Sequence, residues 1–485
     1  MTRIQDQEIK NVLFIFTDQQ RMDQCGCYGN PLTRTPTFDA LAESGVRFTH
    51  AMSPSPVCTP ARGSIQTGRL PHNHGQIFNP EFKRNGGERH ISEDNPFFAR
   101  ILKDRGYRCG HVGKWHVGGD IDPNPNHPWN YGYDTDTPYF WGYGFPMQNE
   151  HYLAYLKELG VDGWQLDHQI VNRHGRPFAS IQKGPKEAAI PFYLAHETKK
   201  KVDQYCAGDD PFFLSINFWG PHAPYHLPEE IYYSYKDVHF EPDDSWDHGF
   251  EGKPHILEQL SRQWGLDAID REIMSTLLGL DAAYTTAIDE ACGHVIDRLR
   301  EHGKLEETLI VFTSDHGSYN GTHRGWDKGI GMYDCLTRIP MIISNPAIKP
   351  GVSDPFVNLV DLTATFLDVA GVDASEHGMD GQSLLPLVDP GEHRPAFDDK
   401  EYFIAAHPGH MVDWHQRMVR SKRHKYIFNF GAKEEFYDLA NDPLELHNRI
   451  DEPQFQNEID HMRNSLREWV EDNNDTYAQR LFMKH

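Results

Sequence analysis

Several short segments of this chain carry residue types and spacings that point to chemistry rather than packing. Cys58 lies in Val57-Cys58-Thr59-Pro60-Ala61-Arg62, which runs on into Gly63-Ser64-Ile65-Gln66-Thr67-Gly68. A cysteine just ahead of a proline that opens a helix sits in the positive field of the helix terminus, with Arg62 one turn on. Such a setting lowers a thiol pKa and makes a cysteine nucleophile one reading. A buried cysteine at a helix start is the other, and these residues taken alone favour it. Asp18 closes one apolar run and Asp315, followed by His316 and Gly317, closes another. A single aspartate after a strand is usually a turn or cap residue. Two that end separate strands can meet, and hard oxygens gathered this way suit a divalent cation. Lys114 and His116 follow the run 108–113, where extended backbone puts residues two apart on one face. His222, between prolines 221 and 224, follows a further apolar run, and Lys328 sits in Gly325-Trp326-Asp327-Lys328-Gly329. His323 and Arg324 lie close enough to Lys328 in sequence to contact a substrate, or else to form a solvated loop.

The ordered set says more than its members. Cys58-Thr59-Pro60-Ala61-Arg62 matches Cys-x-Pro-x-Arg, and the chain resembles the type I sulfatases of the alkaline phosphatase superfamily, with scattered matches from about residue 11 to about residue 385. The resemblance implies that a dedicated formylglycine-generating enzyme oxidises Cys58 to Cα-formylglycine. It also implies that Asp18, Gln19, Cys58, Asp315 and His316 hold one divalent cation. Ca²⁺ is the first choice, and His316 admits Mn²⁺, since imidazole suits softer ions. Gln19 stands where many sulfatases carry a second Asp, and His316 where many carry Asn. That combination resembles choline sulfatases and phosphonate monoester hydrolases. Lys114 and His116 match family positions that the phosphonate hydrolases typically lack, which favours sulfate monoesters over phosphonate monoesters or phosphodiesters on the same scaffold. His222 resembles the family's active-site histidine, and Lys328 the lysine at the sulfate and leaving oxygen. Asn79 is a weaker match to an amide presented to the anion, and His323 and Arg324 are further substrate-binding candidates.

Hydrolysing a sulfate ester requires charge neutralisation, an in-line nucleophile and a proton for the departing oxygen. Arg62, Lys114, Lys328 and the cation meet the first need as pre-set positive charge. A hydroxyl of hydrated formylglycine at position 58 meets the second. His222 with Lys328 meets the third, and His116 takes the proton whose loss expels sulfate and regenerates the aldehyde.

These residues need elements to hold them. Apolar β-branched runs at 11–17, 108–113, 212–218, 308–314 and 340–344 read as strands. The stretch 33–45 reads as a helix with Thr35 near its cap, Pro36 in its first turn and Gly45 at its end. Residues 269–302 carry a 3.6-residue apolar period. Alternating strands and helices predict a mostly parallel sheet flanked by helices, with ligands beyond the carboxyl ends of the strands, where Asp18 and Asp315 fall. Residues 120–190 lack periodicity and read as long loops, with aromatic 139–144 as a pocket wall or a self-packed surface loop. After about residue 390, short strands at 401–406, 416–421, 424–430 and 434–439 and an acidic helix at 454–472 predict a small antiparallel α+β subdomain. The division is therefore a catalytic α/β unit of alkaline-phosphatase-like core, 1–390, and a subdomain, 391–485.

With 71 acidic against 47 basic residues, the formal charge is −24. Nucleic acid is a poor partner for such a balance, because phosphate backbones call for a basic patch; local cations can still bind a small anion. The 7 cysteines are odd in number and irregularly spaced, which argues against a disulfide framework. No run approaches the roughly 20 apolar residues of a membrane span, and the start from Met1 lacks a signal-peptide pattern. The expected location is cytoplasmic, or periplasmic if a leader has been removed. A homo-oligomer is compatible with the C-terminal extension. The loops 76–90, 120–190 and 225–265 would choose among sugar, aryl and choline sulfates.

Overall fold

The run Asn11–Asp18 shows how the main sheet is built. Its residues alternate between two cores: Leu13 and Ile15 belong to one buried cluster, Val12, Phe14 and Phe16 to the other. A strand buried on both faces needs no polar positions, which is why it reads as continuous apolar sequence. In the computed structural model, which describes residues 2–4, 7–80, 90–118, 127–136, 138–140, 149–388 and 395–482, this strand (β1) is central to a sheet of eight. The others are β2 (Gly45–Met52), β3 (Arg108–Lys114), β4 (Tyr139–Phe140), β5 (Phe212–Pro221), β6 (Thr308–Ser314), β7 (Met341–Ser344) and β8 (Gly351–Asn358). Their order is β8-β2-β7-β6-β1-β5-β3-β4. Every neighbouring pair is parallel except those made by β7, which runs against both β6 and β2.

Helices α1 (Pro36–Glu43), α3 (Ile190–Cys206) and α4 (Arg271–Glu301) cover the face bearing Leu13 and Ile15. Helices α2 (Cys58–Thr67) and α5 (Leu359–Val369) cover the other. The predicted helix start is present, with Pro36 at its first position, but the helix ends at Glu43 with Ser44 as its cap. Gly45 instead opens β2. A Cβ there would stand 2.4 Å from the Ile343 carbonyl oxygen on the neighbouring strand, so a close strand contact explains this glycine.

A second, four-stranded antiparallel sheet follows: β9 (Phe403–His410), β10 (Val412–Arg420), β11 (His424–Asn429) and β12 (Glu435–Asp438). Alternation gives it two different faces. Met418, Ile427 and Tyr437 share a core with Tyr319, Ile330 and Tyr333 of the catalytic part. Val419, Tyr426, Phe428 and Phe436 face the closing helix α6 (Gln456–Asp472) through Ile459, Met462, Leu466 and Val470. The first of these cores fixes the sheet beside the loop that carries Lys328. The expectation of uninterrupted loops over 120–190 is overturned: a helix at Glu150–Glu158 and a hairpin of Leu166–Val171 with Pro177–Gln182 lie there. The short alternation of these strands, mostly exposed in the first, gives little apolar signal. Of the aromatic stretch 139–144, Tyr139 and Phe140 form the edge strand β4, and residues 141–144 lie outside the described residues.

Candidate functional site

Parallel register brings the chemistry-bearing residues together. Thr17 of β1 pairs with Ser314 of β6, so Asp18 and Asp315 leave the sheet side by side. On the other flank Asp18 pairs with Pro221 of β5, which delivers His222 to the same end. Cys58 is the first residue of α2, a helix buried along its whole length. Val57 has no side chain to cap it, and the Asn79 side-chain oxygen accepts the Thr59 N–H at 3.0 Å instead.

Four donors converge. One atom each from Asp18, Cys58, Asp315 and His316 lie within 4.8 Å of one another, and all four residues are buried. The Cys58 thiol stands 3.6 Å from Asp18 Oδ1 and 3.2 Å from His316 Nε2. The remaining carboxylate oxygens are engaged elsewhere: Arg62 donates from Nη2 to Asp18 Oδ2 and from Nε to Asp315 Oδ2, both at 2.9 Å. Lys114 Nζ lies 2.6 Å from Asp18 Oδ2 and 3.8 Å from the Cys58 sulfur. Burial would raise the Asp18 carboxyl, but Lys114 and then Arg62 outweigh it and hold it well below the carboxylate range. Burial lowers the His316 imidazole despite Asp315 beside it, which keeps Nε2 available as a neutral donor. His316 Nδ1 faces the Gly317 carbonyl at 2.8 Å, and a carbonyl can only accept, so that nitrogen carries the proton. Two carboxylates, a neutral imidazole and a sulfur or oxygen at position 58 make a donor set that fits a divalent cation.

Gln19 adjoins the four donors and makes contacts of its own. Its backbone N–H holds Asp315 Oδ1 at 3.0 Å; its side chain donates to Ser318 and accepts from Lys328 at 3.2 Å. Its φ of 65° is costly for a non-glycine residue and keeps the amide turned toward Lys328. Lys328 Nζ also meets His222 Nε2, and His222 Nδ1 meets the Ala223 carbonyl. By the same reasoning His222 Nδ1 carries the ring proton and Nε2 accepts from Lys328. Burial, and then the Lys328 charge, hold this imidazole well below its usual pKa.

The strand-face argument for Lys114 and His116 does not hold, because β3 ends at Lys114 and His116 has φ 50°. Lys114 reaches the site as the last residue of β3, and His116 lies in the turn beyond it, its carbonyl accepting the Thr59 hydroxyl at 3.0 Å. Asn79 is buried, and among the described residues its side-chain nitrogen has no hydrogen-bond partner. His323 is buried against Tyr333, with ring centroids 4.4 Å apart, and lines a pocket with Lys328, Trp264 and Trp326. The solvated-loop reading fails for it. Arg324 stacks over Trp246 at 4.9 Å. Two residues of this site escaped sequence reasoning, Asp327 and His410. Asp327 adjoins Lys328 and was legible from that; His410 comes from β9 and carried no local signal.

A fold with an Asp/Cys/Asp/His centre and an arginine bridging the two carboxylates agrees with what the whole sequence matches. The sulfatase family model covers residues 10–372, and the model for the N-sulphoglucosamine sulphohydrolase C-terminal region covers 321–472. The chain belongs to the sulfatase family and is a sulfuric ester hydrolase. It is 28% identical over 473 residues to the uncharacterized sulfatase YidJ of Escherichia coli, covering 95% of this chain and 87% of that one. It is 27% identical to an N-acetylglucosamine-6-O-sulfatase of Bacteroides thetaiotaomicron, over 90% of this chain and 82% of the relative. The phosphonate monoester hydrolase of Silicibacter pomeroyi shares the fold, with a TM-score of 0.76 at 21% identity and 96% of each chain covered.

Proposed function

We propose that the chain hydrolyses a sulfate monoester of a carbohydrate, aryl or small alkyl group at Cys58, with one divalent cation, Ca²⁺ before Mn²⁺. The observation that carries this is the convergence of Asp18, Cys58, Asp315 and His316 beside Arg62 and Lys114. Asp18, Asp315 and His316, with Gln19 and position 58, would hold the cation, which neutralises negative charge on the sulfate. Formylglycine at position 58, made from Cys58 by a formylglycine-generating enzyme, supplies a hydroxyl nucleophile. Arg62 orients both carboxylates through its Nε and Nη2 contacts, and Lys114 and Lys328 bind sulfate oxygens. Asn79, whose side-chain nitrogen is buried and has no partner among the described residues, is suited to the same anion. When the ester S–O bond breaks, its electron pair stays on the departing oxygen, which needs a proton. Lys328 delivers it, because His222 accepts at Nε2 in its neutral state and holds the ammonium in place. His116 removes a proton from position 58 in the second half-reaction. His323 and Arg324 contribute to the leaving-group side. The relative that removes 6-O-sulfate from N-acetylglucosamine supports a sulfated carbohydrate as the substrate class.

Peptide mass spectrometry across residue 58 tests the modification, since formylglycine is about 18 Da lighter than cysteine. Cys58→Ala should abolish desulfation, and unchanged activity would sink the chemistry. A matched pair of aryl sulfate and phenyl phosphonate esters separates the sulfatase reading from its phosphonate rival. A strong phosphonate preference would overturn it.

A further inference from the structure

Asp327 is a buried carboxylate on a strained backbone, with φ 65° at a non-glycine residue. Strain of this kind persists only where surrounding contacts demand it. Its two oxygens face opposite ways. Oδ1 lies 3.2 Å from Lys328 Nζ and 3.7 Å from His222 Nε2, while Oδ2 lies 3.7 Å from His410 Nε2. His410 ends β9, the first strand of the C-terminal sheet, and Met411 with φ 64° turns the chain straight back into β10. The imidazole is buried and sits on the loop just past Lys328: a Cβ added to Gly329, whose φ is 106°, would stand 2.7 Å from His410 Cβ. One sheet thus braces a loop of the other unit at the place where Lys328 leaves it.

We propose that Asp327 and His410 are positioning residues for the Lys328–His222 couple, His410 from the C-terminal sheet fixing Asp327 and Asp327 fixing the ammonium that protonates the departing oxygen. The proposal rests on the sulfatase reading above. It makes the C-terminal sheet a working part of the site rather than an appendage. A lysine ammonium sits on a flexible four-carbon stem, and Asp327 adds a charged partner to the Gln19 and His222 contacts of Lys328. A general acid contributes only when held within hydrogen-bond reach of the oxygen it serves.

The test uses aryl sulfates graded by the acidity of the departing phenol. An ester whose phenol is already a good leaving group needs little protonation; one with a poor leaving group needs it fully. Asp327→Asn, His410→Ala and His410→Gln are measured for kcat/KM beside Lys328→Ala and His222→Ala. Asp327→Asn and His410→Ala should steepen the dependence on leaving-group acidity, losing about 10–100-fold on the poorest leaving group and only a few-fold on the best, a part of the roughly 10²–10⁴-fold that general acid catalysis contributes in full. His410→Gln, which keeps a donor near Nε2, should recover part of the loss. A uniform loss across the series, or none, in folded Asp327 and His410 variants would overturn the positioning role. Should Lys328→Ala and His222→Ala also leave the slope unchanged, the assignment of the acid falls, and this inference with it. If His410→Ala fails to fold, His410→Gln and Asp327→Asn carry the same test.

Discussion

Replacing Arg62 by alanine strips the site of the one side chain that bridges both carboxylates. Arg62 is 2% exposed, Asp18 and Asp315 are fully buried, and each arginine–carboxylate contact is 2.9 Å. A hydrogen bond to a charged group contributes about 1.5–3 kcal/mol, so the two account for about 3–6 kcal/mol before the Lys114 carbonyl is counted. The contacts are not additive, and breaking buried pairs by removing one partner costs about 3–5 kcal/mol, much of it from the charge left behind. Asp18 would retain Lys114, whereas Asp315 would lose its guanidinium partner and retain the N–H groups of Gln19 and His316. The expected loss in metal-free urea unfolding is therefore about 3–5 kcal/mol. Arg62→Lys should lie between, because an ammonium keeps the charge but cannot span both carboxylates. The decisive measurement is the double variant. If the cost is an uncompensated carboxylate, Asp315→Asn in the Arg62→Ala background should restore about 1–3 kcal/mol rather than subtract further. A single variant within 1 kcal/mol of the parent, or strictly additive losses in the pair, would refute the reasoning. Stability is the right readout, because Arg62 also lies in the segment that resembles the family's modification motif.

Asp281, on α4, accepts from Tyr225 and Gln24 in a buried setting, and burial raises its pKa to about 7. A folded pKa above the unfolded value of about 3.9 means stability is fully present below pH 4 and is lost as pH rises through about 7. Asp281→Asn should therefore remove on the order of 2–3 kcal/mol of stability difference between pH 5 and pH 8; an unchanged pH profile by chemical denaturation would count against it. At Gly317, a Cβ would stand 2.0 Å from the Cys335 carbonyl oxygen, so Gly317→Ala must displace His316. On the proposed cation site, divalent-cation affinity by calorimetry, with Ca²⁺ and Mn²⁺ as probes, should fall at least about 10-fold, and parental affinity would show that the loop absorbs the methyl group. Arg420 grips Asp334 through Nε and Nη2 at 2.8 and 2.7 Å across the contact between the two sheets. Arg420→Ala should cost about 3–5 kcal/mol in urea unfolding, and a loss under 1 kcal/mol would exclude a structural role for that pair.

The site was legible in the sequence where its residues sit at the ends of strongly apolar strands. Runs 11–17, 212–218 and 308–314 are buried on both faces, so composition alone identified them, and parallel pairing placed Asp18, His222 and Asp315 together. Strand β2 was missed because its inward and outward positions are irregular and it follows α1 after a single residue. The turn that carries His116 was missed for a related reason: φ 50° at a non-glycine residue has no composition signal. Periodicity reports a residue's own element, and it is silent about residues that another element holds in place.

His410 shows what that silence conceals. Nothing within several residues of it distinguishes it among 29 histidines. Its significance comes from the alternation in β10 to β12, which commits Met418, Ile427 and Tyr437 to the core around Tyr319 and Tyr333, and so seats the end of β9 against the Lys328 loop. The same packing explains how a chain of charge −24 holds three cationic side chains at one site. Arg62, Lys114 and Lys328 are buried, each beside an aspartate that is itself buried. A pocket assembled from paired charges in a low-dielectric interior answers to its local partners, and acidic residues on the outer surface, screened within about 10 Å by ordinary salt, have little hold on it. Net charge therefore argues against a nucleic-acid partner without arguing against a small anion such as sulfate.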